Sequence, residues 1–359
     1  MRTHHRVILG ACLFAMGAGG VAAPPAQAPY TPGQQKVART EKAFGDALGD
    51  FHFAVFGDRT GKHRPGVFEE ALRDARQLHP DFVINIGDLI EGNTEDRGEL
   101  DRQWSEINGA INAIDVPFFY VPGNHDITNT VMRDEWRRRM GADYYSFVYK
   151  KVLFLILNTE DPPQPEISRM LLFKEYGGEA MATVFKALSG DPAEAKALFA
   201  RDPRLAELAG KIMAAEHVNI GADQVRMVHD ALAKNRDVRW TFVLMHRPAW
   251  RGDVPAFREI ETMLADRPYT MLAGHYHKYA YERRHGRDYI QLGRTGGTPG
   301  AAGDDPAVAD HMMWISFTGK EPRIVNMRLD GFYGKEGPVS KDAVPAAPTA
   351  PAQPGEGRL

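Results

Sequence analysis

The chain is nearly without cysteine: its 359 residues hold one, Cys12. A lone thiol excludes an intrachain disulfide framework and any Cys-x-x-Cys metal site. A charge imbalance is missing as well, since 44 basic residues stand against 47 acidic ones and the net charge is -3. No long run of one sign offers a groove for nucleic acid or a face for an anionic membrane. The one extended apolar run, Val7 to Ala23, is short and glycine-rich, so stable membrane insertion is not expected. It follows a basic start, Arg2 to Arg6, and leads to the small-residue sites Gly20-Val21-Ala22 and Ala26-Gln27-Ala28. That order reads as a secretory signal peptide over 1–28 and a periplasmic or secreted protein. Cys12 falls inside this run, which continues past it, against lipid attachment. No internal repeat is visible.

What remains divides by composition. Residues 29–48 are Pro/Ala/Gln-rich and then mixed charged, an expected flexible lead-in, and 333–359 is a Pro- and Ala-rich tail with almost nothing to bury. One large domain over 49–332 is left between them. Within it, apolar runs repeatedly stop at Asp, Asn or His. Phe82-Val83-Ile84-Asn85-Ile86-Gly87-Asp88 is one; Phe53 to Asp58, Phe118 to Asp126, Phe242 to His246 and Thr270 to His277 are the others. Such runs read as buried parallel strands, and open α/β sheets place ligand sites at strand carboxyl ends.

Helical stripes separate the early strands. Apolar residues at 67, 68, 71, 72, 75 and 78 follow Pro65, and a second helix is expected around Glu99 to Ile111. The order βαβαβ implies a sheet covered by helices. Later segments pair locally: 144–149 with 152–157, then 279–283, 289–292, 311–317 and 323–328. The expected class is α/β, with two mixed sheets face to face. Between about 161 and 218 the composition turns to Ala, Leu, Met, Glu and Lys after prolines at 162, 163 and 165. Four short helices are expected there, 166–176, 179–188, 192–199 and 204–217, placed beside the mouth of the site or serving as a packing element.

Carboxylate and amide oxygens together with imidazoles on converging strand ends suit Mn, Fe, Zn or Ni and suit calcium poorly. One carboxylate can bridge two ions about 3.5–4 Å apart, the spacing that clamps both oxygens of a phosphoryl transfer. Asp88 is the candidate bridge.

Taken together, Gly57-Asp58, Gly87-Asp88, Gly123-Asn124-His125-Asp126, His246 and Gly274-His275-Tyr276-His277 resemble the calcineurin-like metallophosphoesterase superfamily. The resemblance runs from about residue 51 to 292 with a gap at 160–220. It implies an αββα sandwich and two metal ions, Mn, Fe or Zn. One would be held by Asp58, Asp88 and His277, the other by Asp88, Asn124, His246 and His275. His125 would assist the leaving oxygen, and Asp126 would orient His125. Phosphate mono- or diesters would be hydrolysed by attack of a metal-bound hydroxide, on a small-molecule substrate. A binding protein with one metal or none is the rival class, separated from the first by metal content.

The pattern departs from the superfamily at one place. A histidine is usual two residues after the first aspartate, where this chain has Thr60; Glu91, His63 or water could close that shell. Arg59 is expected to contact phosphate, while Arg247 and Arg294 read equally well as phosphate contacts or as salt-bridged arginines.

Overall fold

Strand Phe51–Phe56 (β1) is buried at five of six positions, the mark of a strand covered on both faces. The computed structural model describes residues 37–40, 49–163, 169–215, 217–298, 305–329 and 331–334. The expected leader over 1–28 lies outside them, as does all of the expected tail beyond Gly334.

After β1 come helix Val67–Gln77 (α1), strand Phe82–Asn85 (β2), helix Arg97–Ile111 (α2), strand Phe118–Tyr120 (β3) and helix Thr130–Arg139 (α3). Helix α2 starts two residues before its expected place because Asp96 caps it, accepting from Gly98 N and Glu99 N. Helix α3 was hidden by its charge, yet Asn129 caps it and Met132 and Trp136, four apart, are buried. The hairpin Tyr145–Tyr149 (β4) and Val152–Ile156 (β5) follows, then helices Arg169–Tyr176 (α4), Gly178–Ser189 (α5), Pro192–Arg201 (α6) and Pro203–Ala215 (α7). The chain resumes with helix Ala222–Lys234 (α8), strand Trp240–Leu244 (β6), helix Pro255–Met263 (α9) and strand Tyr269–Ala273 (β7). Strands Ala280–Arg284 (β8), Arg287–Gln291 (β9), His311–Phe317 (β10), Arg323–Arg328 (β11) and Gly331–Gly334 (β12) close it.

Two six-stranded mixed sheets result, ordered β12-β11-β10-β1-β2-β3 and β4-β5-β6-β7-β9-β8. In the first, β1, β2 and β3 run parallel; in the second, β5, β6, β7 and β9 do. They face each other across phenylalanines: Phe119 stacks on Phe147 at 4.1 Å, Phe147 on Phe154 at 4.6 Å, and Phe53 meets Phe154 edge-on at 5.4 Å. Each such ring contributes roughly 1.5–3 kcal/mol by burial, so this layer fixes how the sheets sit on each other. Helices cover the outer faces, which makes the fold an αββα sandwich.

The lead-in needs correcting over 37–40. Ala38 is fully buried, Thr40 N donates to Phe118 O and Tyr120 N donates to Ala38 O, so this short piece pairs with the edge of β3.

The four helices between β5 and α8 appear close to the expected bounds. They bury a core of their own, Leu172, Tyr176, Met181, Val184, Leu208, Ala209 and Ile212. Leu171, Phe173, Phe185 and Leu188 are exposed, because helices this short enclose a core on one side only. The lobe is joined at a neck where Glu160 bridges Asn219 in parallel. Below the neck, Arg133 spans Asp143 and Asp161 at 2.6 Å each, and Gln224 Nε2 donates to Asp161 Oδ2 at 2.9 Å.

Candidate metal centre

The carboxyl ends of both sheets meet at one place. β1, β2 and β3 deliver Asp58, Asp88 and Asn124 within four residues of their ends; β6 and β7 deliver His246, His275 and His277. The approach is close enough to demand glycine: a Cβ on Gly123 would lie 2.2 Å from Asp88 Oδ1, and one on Gly274 would lie 2.7 Å from Asp58 Oδ2. Asp88, His275 and His277 themselves adopt positive φ, 59°, 78° and 55°. Side chains rarely hold that backbone unless the surroundings impose it, and such residues cluster at functional sites.

His246 Nε2 is the hub. It lies 3.2 Å from Asp88 Oδ2, 3.8 Å from Asp58 Oδ1, 3.1 Å from Asn124 Oδ1 and 3.3 Å from His275 Nδ1. His277 Nε2 lies 3.6 Å from Asp58 Oδ1. Ligand atoms of Asp88, His246 and His275 form one compact group, and those of Asp58, Asp88 and His277 a second, all within 4.8 Å of one another inside each group. Asp88 is common to both. Burial works against the charge on both acids: it raises Asp58, whereas at Asp88 it is outweighed by His246 and His125, which hold that carboxyl far below the usual range. Two neighbouring buried carboxylates with oxygen and imidazole donors around them fit divalent or trivalent cations. The donor set therefore accommodates two ions.

His125 and Asp126 separate in role. His125 N donates to Asp88 Oδ1 at 2.9 Å, and its ring Nδ1 meets the Glu91 carbonyl at 2.8 Å. Asp126, expected to orient that ring, instead accepts four backbone N–H groups, from Asp88 at 2.8 Å, Leu89 at 2.9 Å, Ile90 at 3.2 Å and Gly123 at 2.9 Å. Four donors saturate the carboxylate, so it braces the loop carrying Asp88 and Glu91 supplies the orienting oxygen. Burial, and after it the Asp88 charge, push the Asp126 carboxyl up to about 7 against the pull of those donors.

Arg59 is also reassigned. Its Nη1 donates to Leu89 O at 3.0 Å and its Nη2 pairs with Glu106 at 2.7 Å, which ties the two strand-end loops together instead of reaching for phosphate. Around the departure at Thr60, the Glu91 carboxylate takes Lys62 N, His63 N and the His63 ring. Neither Glu91 nor His63 joins the two donor groups. Thr60 Oγ1 is buried without a hydrogen-bond partner among the described residues. Arg294 is buried in the turn that bridges Asp58, with Nε 3.5 Å from Asp310. Arg247 lies against His275, its Nη1 3.0 Å from the ring Nε2, and is held by Glu160 at 2.5 Å. Glu160 carried no signal in the sequence, because its partner is 87 residues away.

A family model described as calcineurin-like phosphoesterase matches residues 46–279. The human serine/threonine-protein phosphatase CPPED1 is 36% identical over 103 residues, covering 26% of this chain and 31% of that protein. The chain thus matches about a third of the length of its curated relatives. Among solved structures, a dimetal phosphatase from Danio rerio is 14% identical, with a TM-score of 0.48, over 79% of this chain and 96% of that one. A purple acid phosphatase from yellow lupin is 13% identical, with a TM-score of 0.46, over 84% and 57%. With the family model spanning the strands that carry Asp58, Asp88, Asn124, His246, His275 and His277, the chain belongs to the calcineurin-like phosphoesterase family.

Proposed function

We propose that the protein is a dinuclear metal-dependent phosphoesterase that hydrolyses phosphate mono- or diesters of small molecules. The observation that carries this reading is the pair of donor groups sharing Asp88. Asp58, Asp88 and His277 would hold one ion of the Mn, Fe or Zn type, and Asp88, Asn124, His246 and His275 the other. Bound there, two cations supply charge neutralisation for phosphoryl oxygens and lower the pKa of water toward neutrality.

The chain's own residues do the rest. Ile86 and Thr298 carbonyls accept from Nδ1 of His246 and His277, which leaves each Nε2 lone pair aimed at the acids. The Glu91 carbonyl fixes His125 through Nδ1, so its Nε2 is the atom free to exchange a proton with the leaving oxygen. Buried walls around Asp58, Asp88 and His246 exclude bulk water and strengthen every charge interaction inside.

Metal analysis together with hydrolysis of a panel of phosphate mono- and diesters tests the reading. Wild type should carry two ions per chain and turn over at least one ester with added manganese. Asp88→Ala should lose ions and turnover together, because one carboxylate serves both groups. A wild-type chain that binds one ion or none and hydrolyses no ester would point instead to a binding role. Export to the periplasm or beyond is part of the proposal and rests on the leader-like segment over 1–28; a mature N-terminus still beginning at Met1 would refute it.

A further inference from the structure

The three histidines of the centre are not held alike. His246 and His277 each turn Nδ1 to a carbonyl, Ile86 O at 3.0 Å and Thr298 O at 2.9 Å. A carbonyl only accepts, so both rings carry their proton there and offer Nε2 to a cation. His275 is reversed. Its Nδ1 lies on the acid side, 3.3 Å from His246 Nε2, and its Nε2 lies 3.0 Å from Arg247 Nη1.

A guanidinium has donors and no lone pair, so that contact needs a lone pair on His275 Nε2. A cation beside Asp88 and His246 needs a lone pair on His275 Nδ1. Neutral imidazole carries one proton on its two nitrogens and cannot present both lone pairs at once. The arginine contact and the cation contact therefore exclude each other.

Arg247 stays anchored if it leaves His275. Its Nε donates to Glu160 Oε1 at 2.5 Å, its backbone N donates to Thr159 Oγ1 at 3.2 Å, and both side chains of the pair are largely buried. Glu160 is itself fixed at the neck of the helical lobe by its bridge to Asn219. The Nη edge is the part of the side chain that lies on His275.

We propose that Arg247 is a positioning residue with two settings: its Nη edge rests on His275 before the cation arrives, and turns to a phosphoryl oxygen once Nδ1 is taken. Glu160 is the pivot. The planar fork of a guanidinium suits phosphoryl oxygens, which are the ligand class it would meet. This inference rests on the metal-dependent reading above and adds to it a reciprocal cost: Arg247 competes with the ion for His275.

The test is calorimetric titration of the full-length chain with Mn²⁺, then of the Mn²⁺-loaded chain with inorganic phosphate. Arg247→Met should bind Mn²⁺ several-fold more tightly than wild type, whereas a residue that supports its ligand would cost about 10–100-fold when removed. The same variant should bind phosphate roughly tenfold to hundredfold more weakly, the value of a hydrogen bond to a charged group. Arg247→Gln, which keeps a donor for Glu160, gives the same reading if the Met variant is unstable. Glu160→Gln should weaken phosphate binding as well, by freeing the pivot. A double-mutant cycle with His275→Ala separates competition from field effects: the gain in Mn²⁺ affinity should vanish in that background. If Arg247→Met binds Mn²⁺ no tighter than wild type, or the gain survives without His275, the proposal falls while the phosphoesterase reading stands. If wild type binds neither Mn²⁺ nor phosphate, both fall.

Discussion

Asp126 Oδ2 accepts the backbone N–H of Asp88 at 2.8 Å, across 38 residues of chain. The loop that presents the shared carboxylate is thus held by a second carboxylate that lies outside both donor groups. Asp126→Asn keeps the shape but replaces one acceptor oxygen by a donor, which then faces backbone N–H groups. We expect about a 10–100-fold loss of metal affinity, the usual effect of disturbing a group that positions ligands. Mn²⁺ titration of the variant checks it, and unchanged affinity would show that the loop holds its shape unaided.

For His125 the expected outcome is different. Its ring touches the Glu91 carbonyl, and only its backbone N–H reaches Asp88, so His125→Ala leaves the donor atoms in place. Two ions should stay bound while kcat falls by about 10²–10⁴, the range of a proton-transferring side chain. Loss of an ion on this substitution would make His125 a ligand instead.

A pH effect on stability should come from His311. It is fully buried, with neither ring nitrogen paired among the described residues, and burial pulls its pKa from 6.5 down to about 4. Between those two values the unfolded chain takes up a proton that the native chain refuses, so stability rises with pH there. The contribution is complete above pH 6.5 and is lost as the pH falls to about 4, in total on the order of 3 kcal/mol. Denaturant midpoints at about pH 7.5 and about pH 4.5 should differ less in His311→Leu than in wild type. Equal slopes would refute the assignment.

The helical lobe should be separable. Because Leu172, Val184, Leu208 and Ile212 pack among themselves, replacing 163–216 by a short Gly/Ser linker removes a core the sandwich does not share. The shortened chain should stay folded and keep both ions. If the lobe shapes the entrance for the alcohol, bulky esters should gain relative to small ones; an unchanged ranking of substrates would exclude that role.

Much of this was legible before the structure. Buried parallel strands announce themselves as unbroken apolar runs, so the strands that lead to Asp58, Asp88, Asn124, His246 and His275 could be placed, while the choice of ligand candidates among the strand-end side chains came from the family resemblance. Helix α3 was not legible, since six of its ten residues are charged and the stripe is only Met132 and Trp136. Side-chain partners were less readable still. Arg59 stands next to a ligand in sequence but spends its donors on Leu89 and Glu106, and Glu160 acts through an arginine far along the chain. Adjacency in sequence places a backbone; it does not say where a long flexible side chain finds its charge.

The donors of each group come from both sheets. Asp58 and Asp88 belong to the part of the chain before residue 127, and His246, His275 and His277 to the part after residue 245. A cation bound among them would rivet the two layers together at their rim, while the phenylalanines do so further in. Folding and ion affinity then become linked quantities: whatever favours the closed sandwich tightens the ion, and ion at a hundred times its Kd adds about 2.7 kcal/mol to stability. A substitution such as Phe154→Leu, among the rings packed between the sheets, would be felt at the rim as weaker metal binding.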